Sequence, residues 1–247
     1  MTTTDWAVLF SSRAASREAM PWSHSRALTP AERQLVSRSI QQFQLGEGSD
    51  GSGLIRRGRA SRLAALDANF ISSLELFIGE EQRHSRHLAR FLQREGVALL
   101  RQHWVDGVFR RLRKFAGLEL CLRVLVMAEI VAVPYYTALG RATGSELLQC
   151  ICASILADEA DHLHFQAENL NRLQSSRRAL PAMELMFWRC FQLATLLVVW
   201  REHGQILRAG GYGWNSFRKE CVRLLVAVTH NEFRARAVQR QVLLTEG

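Results

Sequence analysis

The chain has 247 residues, 48% of them hydrophobic, with only 4 prolines and an ordinary 16 glycines. That is enough apolar chain for one compact domain with a sizeable core, and it excludes low-complexity disorder and a collagen-like repeat. Lys and Arg number 32 against 23 Asp and Glu, a formal charge of +9. An anionic partner, whether nucleic acid, an acidic carrier protein or a membrane surface, therefore stays open.

Residues 1–28 show no periodic pattern and read as an irregular N-terminal segment. Its one apolar run, Trp6 to Phe10, is too short for a signal peptide. Thr29-Pro30-Ala31-Glu32 opens a helix, with Thr as N-cap, Pro at the first position and Glu at the third. This helix is predicted to reach about residue 58, through the poor helix sequence of residues 46–53. Further helices are predicted over about 62–95, 115–140 and 144–174, with a short helix and a long crossing in 97–114. Pro181 opens a strongly apolar helix to about 208, and a last helix follows over about 215–244. No alternating strand pattern occurs, so the fold class is all-α: a four-helix bundle in 29–178, with the helices of 179–247 packing on it as one domain.

The five cysteines form no Cys-x-x-Cys pair and mostly sit in apolar stretches. They read as buried free thiols, which suits a reducing cytoplasm. The most apolar stretch, Leu185 to Trp200, is shorter than a bilayer span and contains Arg189 and Gln192. It reads as a buried helix, with no membrane span expected.

Chemistry concentrates in two Glu-x-x-His sequences, Glu81 to His84 and Glu159 to His162. Three residues on a helix leave two side chains about 60° apart around the axis and about 4.5 Å apart along it, so carboxylate and imidazole can meet one ion. Each pair continues an apolar seam. One seam is Phe70, Leu74, Phe77, Glu81, His84, Leu88, Phe91, and the other is Leu148, Cys152, Ile155, Glu159, His162, Gln166, Leu170. Glu129 is the only charge on the seam Leu118, Leu122, Leu125, Glu129, Ala132, Tyr136, Leu139. Glu47 follows Val36, Ile40 and Phe43 on the first helix, a better match than Glu32 near the helix start. Four carboxylates on core faces need cations, because burying an unpaired charge is costly. No Arg or Lys lies on those faces, and two divalent ions with one His each would balance the set.

This arrangement resembles the ferritin-like di-metal carboxylate proteins, over about residues 30–174. The resemblance implies that Glu47, Glu81, His84, Glu129, Glu159 and His162 are metal ligands, with Glu81 and Glu159 bridging. It implies two iron ions, manganese being the alternative, with dioxygen as co-substrate. Glu80 to His84 and Asp158 to His162 are also similar to the acidic-Glu-x-Arg-His motif of diiron monooxygenases. There the leading acid holds a ligating His, a role that passes to Asp158 and Glu80. Position 161 departs from that motif, being Asp rather than Arg.

Other residues carry blander readings. His87 and His164 read as surface or supporting histidines, Tyr135 and Tyr136 as packing residues, and Pro134 as a kink near Glu129. Three functions follow from the resemblance. The first is an oxygenase or oxidase acting on a small, largely apolar organic substrate with an external electron donor, as a monomer or homodimer. The second is a ferroxidase, peroxidase or iron-handling protein. The third is a structural bundle. The likeness extends to aldehyde-deformylating oxygenases, arylamine N-oxygenases and tRNA-modifying diiron hydroxylases. The additional C-terminal helices, fit to wall a pocket, and the positive charge favour the first reading.

Overall fold

The computed structural model describes residues 5–15, 20–23, 25–104, 107, 117–175 and 182–230, and among these every regular element is a helix. They are α1 (Trp6–Ala15), α2 (Pro30–Glu47), α3 (Ser52–Arg59), α4 (Arg62–Leu66), α5 (Phe70–Arg94), α6 (Leu118–Arg141), α7 (Glu146–Gln174), α8 (Ala182–Ala209) and α9 (Trp214–His230). The Pro181 helix start, most of 105–116 and residues 231–244 of the expected last helix lie outside the described residues.

The long helices α2, α5, α6 and α7 pack through the predicted seams. Leu74, Phe77, Leu88 and Phe91 of α5 meet Leu122 and Ile130 of α6, Ile151 and Ile155 of α7, and Val36 and Ile40 of α2 in one buried cluster. Each such side chain contributes about 1.5–3 kcal/mol on burial, more than the local propensity costs along these helices. Their directions follow from pairs at the two ends. Gln44 bonds Ser85 while Arg33 approaches Glu95, so α2 and α5 are antiparallel. Gln166 meets Glu129 while Gln174 meets Glu119, so α6 and α7 are antiparallel too. His84 meets Asp158 and His162 meets Glu80, which makes α5 antiparallel to α7 and therefore parallel to α6. Parallel helices joined in sequence are what the expected long crossing between them calls for, though most of its residues 105–116 lie outside the described residues.

Four boundaries differ from the sequence reading, each for a local or tertiary reason. The N-terminal segment is not wholly irregular. Trp6 and Phe10, one turn apart on α1, are buried against Phe165 and against each other, and that packing holds a short helix with a weak sequence signal. The first bundle helix keeps its predicted capping box of Thr29 and Glu32 but stops at Glu47 rather than near 58. Gly51 takes a left-handed φ of 68°, and a Cβ there would lie 2.6 Å from Ile78. The stretch expected as one helix over 62–95 breaks where Asp67 accepts the amide of Asn69 in an Asx turn. Lastly, α8 is buried only along its second half. Leu196, Val199 and His203 face the core, whereas Met183, Met186 and Phe187 are exposed. Contrary to the reading of a buried stretch shorter than a span, α8 is long and apolar enough to cross a bilayer, and only 22% of its most apolar window is buried inside the fold.

Two details fix how the C-terminal helices seat. Pro134 interrupts α6 and cannot donate to the carbonyl of Ile130. The Cys221 thiol of α9 lies 3.9 Å from that oxygen. Gly210, just past α8, abuts the backbone of Ala138 so closely that no Cβ fits. All five cysteines are free, Cys190 being exposed and Cys150 half-buried.

Gly51→Ala should lose about 2–4 kcal/mol, combining the left-handed backbone penalty with the clash on Ile78. Gly79→Ala, inside α5 with no neighbouring atom near its Cβ, should instead gain up to about 1 kcal/mol. Denaturant midpoints of the two variants check both signs.

Candidate metal centre

The six side chains named from the sequence meet in the middle of the four long helices. Glu81 and His84 project from one turn of α5, and Glu159 and His162 from one turn of α7. Glu129 comes from the centre of α6, and Glu47 is the last residue of α2. One ligand atom from each of Glu81, Glu129, Glu159 and His162 lies within 4.8 Å of the others. The same holds for Glu47, His84 and Glu159, so Glu159 belongs to both groups. Glu81 reaches both histidines, its Oε1 lying 2.9 Å from His162 Nδ1 and 3.9 Å from His84 Nδ1. Glu32 is elsewhere, tied into the α2 cap and to Arg26.

The two motifs are cross-linked. His84 Nε2 lies 2.9 Å from Asp158, and His162 Nε2 lies 3.0 Å from Glu80. An ionised carboxylate only accepts, so Nε2 carries the proton in each ring and Nδ1 faces the cluster. Each acid thus holds the histidine of the other helix. Arg83 pairs with Asp158 and Glu80, and Arg13 of α1 pairs with Glu80, Asp158 and Asp161. Arg13 supplies from another helix the guanidinium that Asp161 replaces in the α7 motif. In this outer ring Arg13 and Arg83 face Glu80, Asp158 and Asp161, so among the described residues neither arginine is paired with the four inner glutamates.

The inner cluster is short of partners. Tyr136 donates to Glu47 Oε1 at 2.7 Å, and Gln166 donates to Glu129 Oε1 at 2.8 Å. Five buried atoms pointing at one another have no hydrogen-bond partner: Glu81 Oε1, both Glu159 oxygens, His84 Nδ1 and His162 Nδ1. His162 Nδ1 and Glu81 Oε1 lie close as an ion pair without forming a hydrogen bond. Native interiors rarely leave such atoms orphaned, and here the orphans are ligand atoms. Glu47 adds a negative charge at the C-terminal end of α2, where the helix dipole disfavours it. Oxygen and imidazole donors gathered this closely could hold a metal ion.

The charges respond to this crowding. Burial, reinforced by Glu81, pushes Glu47 and Glu129 above the ordinary carboxylate range, and burial with Glu129 does the same for Glu159. Burial also opposes Glu81, but His162 and His84 outweigh it and hold that carboxyl at about 2. Burial pulls the His162 imidazolium down, yet Glu80 and Glu81 raise it well above its ordinary value. The metal-free cluster therefore holds protons that ligands must shed.

Several partners were not legible in the sequence. Tyr136, expected as packing, also anchors Glu47, and its place one heptad past Glu129 was the available signal. Gln166 continues the His162 seam. Nothing in the local sequence pointed to Arg13. His164 is buried against Trp6, and His87 faces Trp22. Neither joins the convergent groups.

Glu47, Glu81 and Glu129 line one end of a cavity of about 410 Å³. Phe77, Leu125 and Val131 wall it, and Thr195, Val199 and His203 of α8 close it, as the C-terminal helices were expected to do. The wall is less purely apolar than expected, since Gln42 and His203 face it as well. No known family, curated protein or solved structure matches the chain.

Two outcomes test the cluster. Raised Glu47, Glu129, Glu159 and His162 stabilise the metal-free fold at low pH, and that contribution is lost as pH rises through their folded values; Glu81 acts oppositely, but only well below pH 5. The gap in melting temperature between metal-loaded and metal-free protein should then widen from pH 5 to pH 8, and a constant gap would count against clustered buried carboxylates. Arg13→Ala should weaken metal retention about 10–100-fold by leaving Glu80 and Asp158 short of charge. Adding Asp161→Arg should recover most of the loss in equilibrium dialysis, because residue 161 sits on α7 as Arg83 sits on α5.

Proposed function

We propose that the chain is a ferritin-like di-iron oxidoreductase that uses dioxygen on a small organic substrate. One observation carries this reading: orphaned carboxylate and imidazole atoms converge beside a largely apolar cavity that Glu47, Glu81 and Glu129 help to line. Glu47, Glu81, His84, Glu129, Glu159 and His162 would hold the ions. Bound there, a ferrous pair supplies the electrons and open coordination sites that dioxygen reduction requires.

The chain's own residues set the conditions. Glu80 and Asp158 keep the histidine protons on Nε2, so each Nδ1 lone pair is free for an ion. Tyr136 and Gln166 orient Glu47 and Glu129 while leaving each a second oxygen. Phe77, Leu125 and Val199 make the space beside the carboxylates largely apolar. A substrate in that space lies against the site, and an external donor would return the electrons. Placing α8 across the cavity favours an enzyme over an iron store, which must instead pass many ions.

Anaerobic ferrous loading followed by an oxygen pulse tests this. Two irons per chain should bind and react once, and His84→Ala or His162→Ala should cut iron occupancy while circular dichroism stays nearly unchanged. Binding of one ion or none would defeat the di-metal reading. Uptake of hundreds of irons into a large shell would favour storage.

A further inference from the structure

The far wall of the cavity is built with as much care as its metal end. Ser39 and Gln42 lie one turn apart on α2, which places their Cβ atoms about 5–6 Å from each other. Ser39 Oγ lies 2.7 Å from His203 Nδ1 and 3.0 Å from the Tyr135 hydroxyl. The His203 ring is further wedged edge-on against Phe43 and Tyr135, with centroids 4.9 and 5.3 Å away. His203 of α8 is thereby held over Ser39 and Phe43, the α2 residues that flank Gln42, with no hydrogen bond to its Nε2 among the described residues.

Gln42 is only 8% exposed and His203 only 7%, and both line the cavity. The Gln42 Oε1 is fully buried without a hydrogen-bond partner. An amide and an imidazole nitrogen at a dry wall are an expensive pair to leave unfilled. We infer that Gln42 and His203 form a polar subsite that takes the hydroxyl of an otherwise apolar substrate and holds its body toward Glu47, Glu81 and Glu129.

A hydroxyl suits this pair because it donates and accepts at once, as amide and imidazole together require. A charged head does not suit it. Burial, with His103 nearby, holds the His203 pKa down at about 3, so the imidazole stays neutral and offers no counter-charge to an anion. Phe77, Leu125, Val131 and Val199 give an apolar body its contacts beside the subsite, in a cavity that Asp50, Arg56 and Arg57 also line. The helix supplies a ruler: Gln42 and Glu47 are five residues apart on α2, about 7.5 Å along its axis. The bound molecule is thus a neutral alcohol or phenol whose atoms nearest the carboxylates lie roughly that far from its hydroxyl. This deepens the oxidoreductase reading, on which the molecule's being a substrate rests.

Binding to metal-free protein tests the subsite independently of that reading. 4-Pentylphenol and pentylbenzene share a body and differ by the hydroxyl. Titration calorimetry should show the phenol binding at least about tenfold tighter. Gln42→Leu and His203→Leu should each erase most of that preference while leaving pentylbenzene affinity and metal uptake unchanged. If one variant fails to fold, the other and the wild-type preference still decide. Equal binding of the two compounds, no binding of the phenol, or a preference that survives substitution would overturn the subsite. Failure of the wild type to take up metal would defeat the di-metal reading alone and leave the phenol preference standing.

Discussion

Four glutamates in one dry space are the constraint to which the rest of this molecule answers. Side chains relieve their mutual repulsion and desolvation only in part: His162 and His84 favour the charge on Glu81, while Arg13 and Arg83 are committed to Glu80 and Asp158. The protein does not neutralise the cluster by packing against it either. It surrounds the cluster with groups that fix orientation, Tyr136 on Glu47 and Gln166 on Glu129, and leaves the inner atoms bare. A core of this kind is unfavourable alone and would be favourable with cations, so folding and any ion uptake would form one equilibrium.

The crossed acids make that equilibrium cooperative. Glu80 and Glu81 are neighbours on α5, but one serves the α7 histidine through Nε2 while the other faces the carboxylate–imidazole cluster. Asp158 and Glu159 repeat the scheme in the opposite direction. Sliding α5 by one residue against α7 would break both imidazole contacts together. Arg13 then ties α1 to both acids, so a segment far away in sequence belongs to the centre's electrostatics.

Much of this was legible in the amino-acid order. Steps of three and four residues placed Glu81, His84, Glu129, Glu159 and His162 on buried faces, because burial along a helix is written in its periodicity. Glu47 was legible as a seam residue, although the helix ends immediately after it. What periodicity could not show was tertiary. α1 is a helix because Trp6 and Phe10 find Phe165, and the first half of α8 is exposed because no described neighbour covers Met183, Met186 and Phe187. The breaks at Gly51 and Asp67 depend on a backbone angle and a single side-chain turn, which a helical pattern reads straight through.

The meeting of Pro134 and Cys221 bears on how such a chain can diverge. The proline removes one donor from α6, and a thiol on α9 faces the carbonyl it leaves behind. Each residue is tolerable partly because of the other, so their substitutions are epistatic. Losing the proline first restores the helix bond and makes the thiol dispensable, whereas losing the thiol first strands a buried carbonyl. Drift along this pair has a preferred order, and it runs through the proline.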